Sequence, residues 1–242
     1  MKKLRICFLL VVALFIAGCV SPIPLEKQLA EPSYKSNEKI LIAVIDLRER
    51  IDHATVATKK NDTQLNLDTV GEAENESYVI DGSFLGVAHG AYGIPIDISI
   101  AEYALQKEDR DKSLSELLQN RIVKGLKKAE WNVEPVDISE VSIDEANKLM
   151  NQYGAKKLVA LVIHEWYVSL NLNWVSAFNF DADTETYVFD IEQGKLLSKR
   201  IKERNIVPET YDSAYPNLMF QAYKEQLDQI LNDEDLKKIF IN

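Results

Sequence analysis

The chain has 242 residues, with 38 acidic against 28 basic side chains and a formal net charge of −10. An acidic chain without a Lys/Arg-rich block is a poor nucleic-acid binder, because neutralising phosphate supplies most of that affinity. Its length suits one large domain or two small ones, and 2 cysteines exclude a disulfide-stapled scaffold.

Met1 to Cys19 begins with Lys2, Lys3 and Arg5, continues as the apolar run Ile6 to Ala17 and ends on Gly18-Cys19. A basic start, an apolar centre and small residues at a cleavage point make a secretory signal peptide. The run falls well short of the roughly 20 apolar residues that a spanning helix needs. Polar and turn-forming residues (Ser21, Pro22, Pro24, Glu26) follow at once.

The ending Ile16-Ala17-Gly18-Cys19 resembles the lipobox of bacterial lipoproteins. That resemblance implies cleavage between Gly18 and Cys19 and acylation of Cys19, palmitate included. Each buried CH₂ adds about 0.8 kcal/mol, so two or more chains hold a protein firmly to a membrane. Loss of Lys2, Lys3 and Arg5 takes the charge from −10 to −13, and loss of Cys7 leaves Cys19 as the only cysteine. Val20 and Ser21, rather than Asp, follow the cysteine. By analogy with enteric-type bacteria this implies a periplasm-facing anchor in the outer membrane, with the inner membrane as the alternative.

Residues 20–38 contain three prolines and no apolar period, which reads as a flexible tether. Such a tether would reach roughly 65 Å extended and about 25 Å as a coil. Ile40 to Ile45 is a continuous β-branched and apolar run, the pattern of a strand buried on both faces. The stretch 47–95 then reads as an insertion of loops and short strands, with strands near Gln64 to Asp68 and Tyr78 to Ile80.

Within it, Gly82 to Pro95 places Gly82, Gly86, Gly90 and Gly93 among large apolar residues. The spacing matches neither a dinucleotide fingerprint nor a phosphate loop. Two readings stand: a glycine-kinked hairpin packed on the domain edge, or an exposed apolar loop that docks on a partner or membrane. The candidate loop residues are Gly86, His89, Gly90, Tyr92 and Gly93.

Ser113-Leu114-Ser115-Glu116 is a capping box, and Leu114, Leu117, Leu118, Ile122, Gly125 and Leu126 continue it as a helix to about Glu130. Trp131 to Val136 reads as a short strand. A second capping box, Ser142 to Glu145, opens a helix carrying Ala146, Leu149 and Met150 and ending near Gly154. Leu158 to Ile163 reads as a central strand continuing to Val168. A longer strand runs from Trp174 to about Ile191, turns at Gly194 and returns as Leu196 to Val207. Ser213 to Leu231 is an amphipathic helix with Pro216 in its first turn, and the tail 232–242 has room for one further helical turn.

These elements predict an α/β (α+β) fold: a single mixed β-sheet of about five core strands covered by two or three helices. The domain would span 39–242, after a signal peptide at 1–18 and the lipidated tether at 19–38. This order resembles the uncharacterised bacterial lipoproteins of the YajG-like kind. Their fold is similar to the periplasmic α/β domains of the curli secretion lipoprotein and the TolB amino-terminal domain. The matching residues are Asp46 and Arg48 after the first strand, Gly90 to Pro95, the Trp166 strand and the hairpin at Gly194. The resemblance covers roughly 38–232 and implies an accessory, assembly or binding role in the envelope.

Candidate chemistry is sparse. His53, His89 and His164 lack metal-site spacing, so no metal or cofactor is expected. His164 and Glu165 are adjacent on a strand and should face opposite ways. Asp181, Asp183 and Glu185 alternate and should share a face, either as a solvated row or as an acid–base or Ca²⁺ site. Trp166, Tyr167, Trp174 and Phe178 suit a binding surface or sheet packing. No Gly-x-Ser-x-Gly is present. Two functions remain: a non-enzymatic envelope lipoprotein that binds a protein partner through a sheet edge or the Gly82–Pro95 loop, or a periplasmic enzyme or small-ligand binder using His89 with nearby acids.

Overall fold

The computed structural model describes residues 21–48, 82–90, 95–171, 177–208 and 214–241. The strands are β1 (Lys39–Asp46), β2 (Phe84–His89), β3 (Pro95–Ser99), β4 (Asn132–Pro135), β5 (Lys157–Asn171), β6 (Ala177–Asp190) and β7 (Gly194–Pro208). The helices are α1 (Ile100–Tyr103), α2 (Leu114–Lys128), α3 (Ile143–Tyr153), α4 (Tyr215–Leu231) and α5 (Glu234–Ile241). All seven described strands join one mixed sheet, so the fold is α/β.

β5 is the axis of that sheet. Along one edge it first pairs with β1 in parallel, from Ile40 opposite Lys157 to Asp46 opposite Ile163. The same edge then takes β2, also parallel, from Gly86 opposite Val168 to His89 opposite Asn171. Its other edge pairs with β6 in antiparallel register over nearly its whole length. β4 lies outside β1, β3 outside β2, and β7 outside β6. Ile40 to Ile45 and Leu158 to Ile163 are apolar throughout because these central strands meet packed side chains on both faces.

One face carries the larger core. Ile40, Ile42, Val159, Leu161, Ile163, Trp166, Val168, Phe178 and Phe180 pack there against α2 and α4. The opposite face is smaller: Leu41, Ala43, Leu158, Ala160 and Phe189 meet Ala146, Leu149 and Met150 of α3. The Ser113–Glu116 capping box is complete, with each partner satisfying the other's backbone N–H. At α3 only half of the expected box forms. Ser142 Oγ accepts from the Glu145 N–H at 3.2 Å, but the Glu145 carboxylate turns to Lys148 Nζ at 3.1 Å. Gly154, at φ 63°, ends α3 in the left-handed conformation that glycine adopts without strain.

The described part of the expected inserted β/loop region joins the sheet: β2 and β3 form an antiparallel hairpin at its margin. One expectation needs correction: residues 21–38 are not a free tether, because they lie against α2 and α4 through specific contacts. Asn217 brackets the chain, accepting from the Ile23 N–H and donating to the Ser21 carbonyl, each at 3.0 Å. Glu31 N–H donates to Asp228 at 2.7 Å, Ser33 N–H to Asn232 at 2.6 Å, and Tyr34 Oη to the Leu231 carbonyl at 2.9 Å. Leu29, Ala30 and Tyr34 are buried.

Gly125 permits the closest of these approaches, since a Cβ there would stand 1.9 Å from the Ala30 carbonyl oxygen. The prolines that suggested a tether fit an extended docked segment equally well, because neither role requires a helical or strand period. The expected strands near Gln64–Asp68 and Tyr78–Ile80 lie outside the described residues. Among the described residues no helix is long and apolar enough to cross a membrane.

Candidate interaction surface

α3 covers only one half of its face of the sheet. The other half, toward the C-terminal end of β5, has no helix packed on it among the described residues. Strand alternation brings Tyr167 and Ser169 of β5 to this surface, with Asp181, Asp183 and Glu185 of β6 and Arg200, Lys202 and Arg204 of β7. The acidic row therefore shares a face, as its spacing predicts.

The sequence did not single out the cations opposite that row. Arg204 forms a two-pronged pair with Asp181 at 2.5 and 3.0 Å, and Arg200 does the same with Asp183 at 2.6 and 2.9 Å. Lys202 adds a contact to Asp183 at 3.3 Å. The Arg200 guanidinium on Asp183, with Lys202 beside it, holds that carboxyl below the usual carboxylate range. Alternation of Arg200, Lys202 and Arg204 in register with three acids was the available signal, and it becomes informative only once the hairpin register is known.

His164 and Glu165 depart from expectation. A β-bulge between Ile163 and Glu165 inserts an extra residue in β5, so both side chains reach the acidic face instead of opposite ones. His164 Nε2 lies 3.7 Å from Glu185 Oε2, and Glu165 Oε2 lies 3.5 Å from Lys202 Nζ. The His164 separation is too long for a hydrogen bond. Glu185 instead accepts from the Ser198 hydroxyl at 2.7 Å. That bond, with smaller help from Tyr187 and His164, outweighs burial and keeps the Glu185 carboxyl low. Burial, followed by Asp181 and Asp97, pushes the Tyr167 hydroxyl up.

Chemically, this is a surface of mutually neutralised charges with exposed cationic heads. Trp166 and Phe178 lie on the opposite side, in the main core. Phe178 meets Tyr215 with ring centroids 5.0 Å apart, and Trp166 meets Phe180 at 5.1 Å. They are core packing, not a binding surface.

The glycine-rich segment is absorbed into the β2–β3 hairpin. Leu85, Val87 and Ala88 are buried, so the exposed apolar docking loop is replaced over 84–89 by its alternative, a glycine-kinked edge hairpin. Gly86 adopts φ 154°, and a Cβ on it would fall 1.9 Å from the Val168 carbonyl oxygen. Its role is close strand approach. His89 is half-buried opposite Asn171 and Pro95, and Gly90 follows the strand. Among the described residues no three His, Cys, Asp or Glu side chains are grouped to hold a metal. Gly18, Cys19, His53, Tyr92, Gly93 and Trp174 lie outside the described residues.

A shallow depression between β6, β7 and the last two helices is lined by Thr186, Leu197, Lys199, Ile201 and Ile230, and has no room inside it for even a water molecule. Lys199 spans its rim, bonded to Asp233 at 2.7 Å and Asp235 at 2.8 Å.

No protein-family model matches the chain, and no curated protein matches it. Among solved structures it is similar to protein XCC0632 from Xanthomonas campestris, described under the family model DUF330, at 9% identity and a TM-score of 0.44, over 92% of this chain and 91% of that one. It is also similar to lipoprotein GNA1162 from Neisseria meningitidis, at 10% identity and a TM-score of 0.38, over 81% and 99%. The hypothetical protein CT253 from Chlamydia trachomatis matches at 10% identity and 0.38, over 81% and 98%. Likenesses at this level assign neither a family nor an activity.

Proposed function

We propose that this protein is an acylated bacterial envelope protein with a non-enzymatic, protein-binding role at the periplasmic face of the outer membrane. One observation carries the reading: a basic and apolar leader ends in Ala17-Gly18-Cys19, and Cys19 is the only cysteine left once that leader is removed. Val20-Ser21 after the cysteine supports the outer rather than the inner membrane. The arginine and lysine pairing of the acidic row supports a structural use of those carboxylates over an acid–base one.

The partner surface is the outer edge of β7 with the adjoining helix-free half of the sheet. Among the described strands β7 is bonded only to β6, and an unpaired edge offers main-chain donors and acceptors to an added strand. The Cys19→Ala variant tests the anchor. It should stay folded, lose acyl mass and leave the membrane for the soluble periplasm; co-sedimentation of this variant with membranes would refute the reading. In-cell crosslinking from Arg200 and Arg204, compared with Lys148 on α3, tests the surface. A specific adduct from β7 positions alone is expected, and equal adducts from both sites would move the surface elsewhere.

A further inference from the structure

We propose that the domain is held close to the lipid surface in one orientation, with the end of the sheet where α4 begins, rimmed by Ile96 and Ile206, facing the membrane. This rests on acylation of Cys19, and it follows from where the docked segment stops being docked. Ser21 is fixed by the Asn217 side chain on the first turn of α4, and Asn217 is itself only 4% exposed. Cys19 is two residues before Ser21, and two residues span at most about 7 Å. A lipid on Cys19 therefore enters the bilayer beside Ser21. The coil-length stand-off expected of a free tether has no chain left to supply it.

Packing identifies which part of the domain that is. Tyr215, at the start of α4, meets Phe178 and Tyr103. Phe178 stands opposite Leu170 on β5 and Val207 on β7, while Leu170 stands opposite Ala88 and Ala88 opposite Ile96. One row across the sheet thus runs from Ile96 to Val207 at the level of the anchor. Ile96 is 52% exposed and Ile206 71% exposed at this end. They are apolar side chains placed where lipid would meet them. The Gly194 turn and the start of β5 lie at the other end, about 43 Å away along the 13 steps from Lys157 to Leu170. The acylated chain, whose formal charge goes from −10 to −13 once Lys2, Lys3 and Arg5 are removed, draws little from anionic headgroups, so the docked segment rather than surface charge sets the orientation.

The test uses the full acylated chain in neutral phosphatidylcholine vesicles containing nitroxide-labelled phosphatidylcholine. Acylation is established first from the mass of the Cys19 peptide. Single cysteines then replace Ile96, Ile206 or the distal, exposed Gln193, and each carries an environment-sensitive fluorophore. Strong lipid quenching at Ile96→Cys and Ile206→Cys with almost none at Gln193→Cys is the expected result. Adding Asn217→Ala should weaken quenching at Ile206→Cys severalfold with acylation unchanged. Equal quenching at all three positions of an acylated chain would overturn the orientation and leave the anchor intact. An unacylated Cys19 would overturn both.

Discussion

Arg48 fills the break between two strands that share one edge of β5, and Asp46 holds it there. Its Nε and Nη2 donate to the Asp46 carboxylate at 2.8 and 2.7 Å. Its Nη1 donates to the carbonyls of Phe84 at 2.7 Å and Trp166 at 3.3 Å. β1 leaves β5 at Ile163 and β2 joins it at Val168, so the guanidinium bridges backbone that neither strand pairs. The side chain is 6% exposed. Its planar fork matches a carboxylate and two carbonyls together, which a lysine ammonium cannot do.

Replacing Arg48 with Met should therefore destabilise the domain by about 3 kcal/mol, since a half-buried carboxylate and two carbonyls lose their guanidinium donors. Arg48→Lys should recover little of this. Urea unfolding measures the loss, and hydrogen exchange should show faster opening at β2 than at β6. A loss below about 1 kcal/mol, the range of exposed pairs, would mean that water substitutes for the guanidinium.

The buried Arg121–Asp109 pair predicts an acid-sensitive component of stability. Arg121 Nη2 donates to Asp109 and, at 2.9 Å, to Gln28, so the pair also holds the docked segment. Burial pushes the Asp109 carboxyl up, but hydrogen bonds from Arg121 and Lys112 outweigh it and hold the carboxyl below its ordinary value. A carboxyl with a lowered folded pKa stabilises above its unfolded value, about 3.9, and that contribution is lost as pH falls through the lower folded one. Asp109→Asn should cost about 3 kcal/mol at neutral pH. The gap between wild type and variant should narrow below about pH 4 in urea titrations; a gap independent of pH would assign the loss to packing.

Docking of residues 21–38 predicts a response at Gly125. Gly125→Ala raises helix propensity by about 1 kcal/mol, so a free tether would make the variant more stable. The Ala30 carbonyl at 1.9 Å from the new Cβ predicts instead a loss of about 2 kcal/mol, as in overpacked cores. Amide exchange at Leu29 and Ala30 should quicken. Increased stability with unchanged exchange would restore the tether.

What the sequence shows and what it hides divide along a physical line. Apolar runs and periods revealed the central strands, helices α2, α3 and α4 and the β6–β7 hairpin, because these depend on which residues avoid water. Ser113 and Glu116 marked a helix start through local hydrogen bonds. The His164 bulge, the Arg200–Asp183 and Arg204–Asp181 pairs and the Asn217 bracket depend on register or on contacts nearly two hundred residues apart. No local pattern encodes those. The Pro-rich start misled for a related reason: Leu29, Ala30 and Tyr34 are buried singly, without a period.

Gly86 separates the two uses of the glycine-rich segment. If it serves a ligand, Gly86→Ala alters binding and leaves the fold alone. Here its φ of 154° and the Val168 carbonyl oxygen, 1.9 Å from where an alanine Cβ would stand, place backbone against backbone. Alanine therefore cannot enter without parting β2 from β5. The expected cost is about 3 kcal/mol, the combined scale of backbone incompatibility and overpacking, with β2 and β3 amides exchanging faster than those of β1. His89→Ala, at a half-buried strand end, should stay within about 1 kcal/mol. Exchange that quickens at β2 for the glycine variant alone identifies the segment as sheet structure. A folded, fully protected Gly86→Ala protein would return it to the candidates for binding.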